Sequence, residues 1–185
     1  DDNGQDVYER DLVKLGSSKE QSKALDELHD MLRDCSQDED KRPDGLDFAA
    51  TQLAHSDLIN NKDKDVRLGA ATCLVDILRI YAPEAPYAED QLLDIFELFV
   101  NQLHNLGTVS TSAPTKQGVK YLYILESLST VNSCIILAEL MQQGVEEAEE
   151  LMNKLCECLL TNIRPDHPSS IHSKALDILT VCVEE

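Results

Sequence analysis

Val66-Arg67-Leu68-Gly69-Ala70-Ala71-Thr72-Cys73-Leu74-Val75-Asp76-Ile77-Leu78-Arg79-Ile80-Tyr81 decides how this chain folds. Ala70, Ala71, Leu74, Ile77, Leu78 and Tyr81 fall three or four positions apart, so one side of a helix carries them all. Pro83 ends the helix, because a proline restricts the residue before it and cannot donate the next backbone bond. A helix this apolar on one face needs a partner of the same kind, and the flanking sequence supplies several.

Upstream, Ser18 followed by Gln21 reads as a capping box, and Leu25, Leu28 and Leu32 mark one face of a first helix. Beyond it lies a charged break over 37–42. Pro43 is expected to open a second helix carrying Leu46, Ala49, Ala50 and Leu53, ending near His55. Downstream, Leu92, Ile95, Phe96, Phe99, Leu103 and Leu106 share a stripe, with Gly107 expected to close it in the left-handed conformation. Residues 108–115 read as a loop. Tyr121, Leu122, Leu125 and Leu128 restart the spacing, which runs on through Ile135 to Met141. Leu151, Leu155, Cys158 and Leu159 define a further helix ending near Asn162, and Pro168 opens a last one with Ile171, Ala175, Ile178, Leu179 and Cys182. No stretch alternates as a strand does.

The fold class expected is therefore all-α. Helix starts near residues 66, 118 and 169 recur at a spacing of about 50, which suits stacked helix pairs with one long loop. Asp65-Val66-Arg67, opening a helix, is a pattern common in HEAT repeats, whose pairs stack into an α-solenoid. The expected organisation is a polar and disorder-prone segment over 1–16, then HEAT-like repeats over 17–185. Because Val183-Glu184-Glu185 carries no cap, the sequence reads as the amino-terminal fragment of a longer solenoid.

With 16 basic against 35 acidic residues, the formal charge is −19. Affinity for a phosphate backbone comes from Lys and Arg displacing counterions, so direct nucleic-acid binding is disfavoured and a basic partner fits better. Aromatic residues make up 4% of the chain and do not interleave with basic ones, leaving no platform for stacking bases. No apolar run reaches 18 residues, the length a membrane span needs. Six cysteines, mostly isolated within apolar stretches, read as free thiols in a reducing, intracellular setting.

The sequence completes no catalytic or metal-binding pattern. Asn61-Lys62-Asp63-Lys64-Asp65 begins like a calcium loop, but Val66 stands where the loop needs glycine and Thr72 where it needs a bidentate glutamate. Cys156 and Cys158 lie two apart and His167 and His172 five apart, neither a zinc spacing. There is no Gly-x-Ser-x-Gly elbow and no glycine-rich phosphate loop. Glu146-Glu147 and Glu149-Glu150 read as a solvated helix face. No enzyme activity, metal or cofactor is expected.

Tyr81-Ala82-Pro83-Glu84-Ala85-Pro86-Tyr87 stands apart from these. It reads two ways, as a helix stop or as a ridge that binds a short peptide. A stop needs one proline or glycine, whereas this segment adds a second proline three residues on, two aromatic rings, small alanines and a carboxylate.

Taken with Lys62-Asp63-Lys64-Asp65-Val66-Arg67 and Cys73-Leu74-Val75-Asp76-Ile77-Leu78-Arg79, the segment resembles the cohesin-associated "precocious dissociation of sisters" proteins. The likeness continues through Gln91-Leu92-Leu93-Asp94-Ile95-Phe96 and Tyr121-Leu122-Tyr123-Ile124-Leu125-Glu126. The resemblance implies a non-enzymatic HEAT scaffold, nuclear and chromosome-associated through the cohesin complex, that regulates sister-chromatid cohesion and release. It further implies that the Ala-Pro-Glu-Ala-Pro motif, here Ala82, Pro83, Glu84, Ala85 and Pro86, docks short segments of cohesin regulators. These are the wings-apart-like releasing factor, a sororin-like protector and the cohesin acetyltransferase, some carrying Tyr-Ser-Arg. The surface that grips the kleisin subunit is implied to lie in later repeats. On physical grounds the peptide arginine is expected to meet Glu84 or a neighbouring acid, and its tyrosine to pack on Pro83 and Pro86, with Tyr81 and Tyr87 flanking. The alternative is a purely structural cap of the solenoid that binds nothing.

Overall fold

The computed structural model describes residues 5–110 and 112–184. Residues 1–4 of the opening segment, residue 111 of the expected loop and residue 185 lie outside the described residues. Every regular element among the described residues is helical, and the chain divides into one compact unit ending at Ala88 and another beginning at Glu89.

The first unit comprises α1 (Gln5–Tyr8), α2 (Ser18–Arg33), a 3-10 turn (Glu39–Lys41), α3 (Leu46–Leu53), α4 (Ser56–Ile59) and α5 (Lys64–Tyr81). The stretch that decides the fold is α5, started by Asp63, whose carboxylate accepts from the backbone N–H groups of Asp65 at 2.8 Å and Val66 at 3.4 Å. This accounts for the acid-rich run before it as a helix cap. Helix α5 packs along α2, where Leu25, Leu28 and Leu32 are fully buried as the spacing predicts. The two helices approach so closely that a Cβ on Gly69 would stand 3.0 Å from that of Leu25, and the Cys73 thiol donates to the Leu25 carbonyl at 3.3 Å.

One buried polar cluster joins the same pair. Asp76, fully buried, lies 2.9 Å from His29 Nδ1 and accepts from the Arg79 guanidinium at 3.3 Å. Arg79 also donates to the carbonyls of Leu32 at 2.8 Å and Cys35 at 2.9 Å, satisfying the open end of α2.

Two expected helix starts are corrected. The α2 cap is Ser17, one residue earlier than expected, and its hydroxyl accepts from Glu20 N–H, while Gln21 turns inward and donates to the Leu12 carbonyl at 3.2 Å. Helix α3 is not opened by Pro43 but begins at Leu46 after Gly45, whose φ of +82° only glycine adopts freely. The opening segment is less polar in its role than its composition suggests. Tyr8 and Leu12, four residues apart, are buried, and Arg10 pairs with Glu27 of α2 at 2.6 Å.

The second unit comprises α6 (Glu89–Leu103), a 3-10 turn (His104–Thr108), α7 (Lys116–Val131), α8 (Ile135–Gln142), α9 (Glu146–Asn162) and α10 (Ser169–Glu184). Its core includes Phe96 and Phe99, which meet edge to face with centroids 5.5 Å apart. Gly107 is not a left-handed terminator. It sits within the 3-10 turn, where a Cβ would press on Asn162, and its carbonyl accepts from Arg164 at 2.8 Å. A left-handed residue that does end a helix is Asn132, at φ +53°, which closes α7 and separates it from α8.

Candidate functional site

The proline-bearing segment leaves α5 at Ala82, whose ψ of 140° breaks the helical path, and the Ala82–Pro83 peptide bond is cis. Pro83, Glu84 and Pro86 are exposed, whereas Tyr81, Ala82, Ala85 and Tyr87 are half-buried. The two tyrosines face back into the first unit. Tyr81 donates its hydroxyl to the Asp47 carboxylate, and Tyr87 donates to the Ala50 carbonyl at 3.1 Å. Both ends of the segment are thus tied to α3. Burial, and then the bond to Asp47, raises the Tyr81 hydroxyl above its ordinary pKa, and burial does the same for Tyr87. Both stay protonated at neutral pH and keep donating.

Arg42 completes the arrangement. Its guanidinium stands 4.3 Å over the Tyr81 ring and donates to the Ile80 carbonyl at 3.2 Å, while its Nε is buried without a partner. Beside Tyr81 opens a cavity of about 430 Å³ whose walls include Glu39, Asp44 and Asp47. The surface so formed offers two prolines and a carboxylate on a segment anchored at both ends, next to an acidic hollow. This suits a peptide that brings an aromatic ring and a cation, since rings pack on proline and a guanidinium pairs with carboxylates. No nucleophile with a base beside it takes part in the arrangement.

The seven residues singled out in the sequence are therefore contiguous in space but differ in role. Pro83, Glu84 and Pro86 are presented outward, and Tyr81 and Tyr87 are anchors. Sequence reasoning missed Arg42, Asp47 and Ala50, which hold the segment. No local pattern marks them, because each acts across more than 30 residues of chain. The histidines that gave no zinc spacing are engaged elsewhere: His167 Nδ1 accepts from Arg164 N–H at 3.1 Å, and His172 Nε2 lies 2.9 Å from the Arg164 carbonyl. Among the described residues no group of three His, Cys, Asp or Glu side chains is placed to hold a metal ion, and no single helix is long and apolar enough to cross a membrane.

Comparison with known proteins gives concordant matches. The family model described as sister chromatid cohesion protein PDS5 matches residues 19–185. The Xenopus laevis sister chromatid cohesion protein PDS5 homolog B-B is 35% identical over 170 residues, 91% of this chain and 11% of that protein. The mouse PDS5 homolog A is 36% identical over 178 residues, 95% of this chain and 13% of its own length. The Arabidopsis thaliana homolog E is 33% identical over 133 residues, 72% of this chain and 12% of that protein. Among solved structures, a chain from the structure of the Pds5-Scc1 complex superposes with a TM-score of 0.75 at 29% identity, covering 91% of this chain and 23% of that one. The chain thus spans little more than a tenth of the length of these relatives. The all-helical, HEAT-like architecture expected from the spacing is the one found.

Proposed function

Because the chain belongs to the PDS5 family of sister chromatid cohesion proteins, we propose that it is part of a non-enzymatic cohesin regulator and docks short peptide segments of other cohesin regulators on the ridge from Tyr81 to Tyr87. The peptides in question are those of the releasing factor, the sororin-like protector and the cohesin acetyltransferase. The protein works in the nucleus, on chromosomes, through cohesin. The likeness to a Pds5 chain solved with Scc1 supports a place in cohesin assemblies.

One observation carries the docking proposal: Pro83, Glu84 and Pro86 are exposed on a segment whose two ends are fixed to α3 by tyrosine hydroxyls. A prefixed surface loses little conformational entropy when a ligand arrives, which favours binding over a floppy turn of the same composition. The peptide tyrosine packs on the proline rings and its arginine pairs with Glu84. The surrounding acidity speeds the encounter with a basic peptide without choosing among such peptides.

The test is a titration of labelled Tyr-Ser-Arg peptides against the chain and its Glu84→Lys variant, with thermal melts of both. Saturable binding that falls in the variant at unchanged melting temperature supports the ridge. Binding equal in both proteins overturns it. A fold that melts normally and binds no such peptide favours a structural cap.

A further inference from the structure

The first unit carries a second hollow that the ridge does not use. A cavity of about 650 Å³ is lined by Tyr8, Met31, Cys35 and Pro43 together with Asp34 and Asp44. It shares Pro43 and Asp44 with the acidic hollow beside Tyr81, so the two lie side by side. Its character differs. Tyr8 is buried with its hydroxyl 3.2 Å from the Cys35 sulfur, which places ring and thiol together as an apolar wall, and Met31 is 37% exposed, a large apolar side chain left open to solvent at the cavity. Methionine adapts its shape to what it covers. Two cations also line the two hollows, Lys41, paired with Asp38 at 2.7 Å, and Arg42, 3.9 Å from Glu39, but the carboxylates of Asp34, Glu39, Asp44 and Asp47 outnumber them and leave the charge around the groove predominantly negative.

We propose that the two hollows form one groove that extends the peptide footprint beyond the ridge. It takes a basic segment bearing one aliphatic side chain, the aliphatic group entering the Tyr8/Met31/Cys35 cavity and cationic neighbours meeting Asp34, Asp44 and Asp47. Charge complementarity selects this occupant. An apolar hollow rimmed by carboxylates rejects an acidic helix and gives no pairing to a neutral one, whereas a Lys-Leu-Lys type of sequence satisfies both parts. The inference rests on the ridge reading, because the same peptide is to continue from Glu84 into the groove.

The chain contains three methionines, and Met31 alone of them lines the groove, so methyl-¹³C-methionine NMR reports occupancy directly, with Met141 and Met152 of the second unit as internal references. Three probes are titrated: Gly-Tyr-Ser-Arg-Gly, the same core with Lys-Leu-Lys added at both ends, and the same core with Lys-Ser-Lys instead. The expected result is that the leucine peptide binds about tenfold more tightly than the serine peptide, the effect of burying one aliphatic side chain, and that it alone moves the Met31 signal strongly. Met31→Glu, at an exposed position outside the ridge and the hollow beside Tyr81, should abolish that gain and leave the core peptide unaffected. Equal affinity of the two extended peptides, or a stationary Met31 signal in their presence, overturns the groove. If the core fails to bind but a Lys-Leu-Lys peptide alone moves Met31, the ridge reading fails and the groove stands by itself. If neither binds, both fail.

Discussion

Tyr87 donates its hydroxyl to the Ala50 carbonyl at 3.1 Å, joining residues 37 apart in sequence, and so holds the far end of the proline segment against α3. The near end is held by Tyr81 on Asp47, with Arg42 stacked over the ring. Tyr87→Phe keeps the ring and deletes only the bond. The expected loss is about 1 kcal/mol in stability, read from urea unfolding, together with faster amide exchange over 82–86. Unaltered exchange there would mean that the hydroxyl does not hold the segment.

Asp76 is expected to contribute strongly to the stability of the first unit. It is fully buried between His29 and Arg79, and Arg79 in turn closes the end of α2. Removing one member of a buried ionic cluster leaves the others without compensation, so Asp76→Ala should cost about 3 kcal/mol in urea unfolding, and Asp76→Asn, which retains hydrogen bonding, less. A loss under about 0.5 kcal/mol for the alanine variant would contradict this role and match an exposed pair instead.

Periodicity made the long helices legible from sequence, since Leu25, Leu28 and Leu32 or Leu74, Ile77 and Leu78 lie on one face whatever the partner is. Helix starts were harder to read. Ser17 and Ser18 are chemically equivalent caps, and with Ser17 as the cap the Gln21 side chain is free to turn inward to the Leu12 carbonyl rather than close a capping box. Pro43 and Gly45 compete to start α3, and the approach of Tyr8 and Glu9 to Gly45, within about the distance a Cβ would need, favours the glycine. The proline segment was visible as a motif. Its anchoring was not, because hydrogen bonds from Tyr81 to Asp47 and from Tyr87 to Ala50 depend on how α3 is laid against α5, which local spacing does not encode.

Gly69 tests the closeness of α2 and α5. In a helix interior, alanine in place of glycine gains about 1 kcal/mol in propensity. Here the added methyl meets Leu25 side-chain atoms at 3.0 and 3.2 Å, and overpacking of this kind costs about 1–3 kcal/mol. Gly69→Ala is therefore expected to be destabilising by about 1 kcal/mol in urea unfolding. A more stable variant would show that the pair of helices yields easily.

Burial pushes the Cys134 thiol up to about 12 from an ordinary value of 9.0. A raised pKa in the folded state means that the proton is held more tightly there, so the stabilisation is complete below pH 9 and is lost as pH rises towards 12. Over that window the slope from this group is about 1.4 kcal/mol per pH unit. Cys134→Ala should flatten the alkaline fall in stability, measured by urea unfolding from pH 8 to 11. An identical pH profile in the variant would remove Cys134 as a cause.

The most direct test of the docking account is a charge exchange between Glu84 and its proposed partner. Affinities of Tyr-Ser-Arg and Tyr-Ser-Glu peptides are measured against the unaltered chain and Glu84→Lys. Exposed ion pairs contribute up to about 1 kcal/mol each, so each single reversal should weaken binding about fivefold. The doubly reversed pair should recover most of that loss. Recovery would place the peptide's cation on Glu84, at the centre of the ridge. Additive losses, with the doubly reversed pair weakest of all, would contradict a docking contact there and leave the segment as a structural corner at the end of α5.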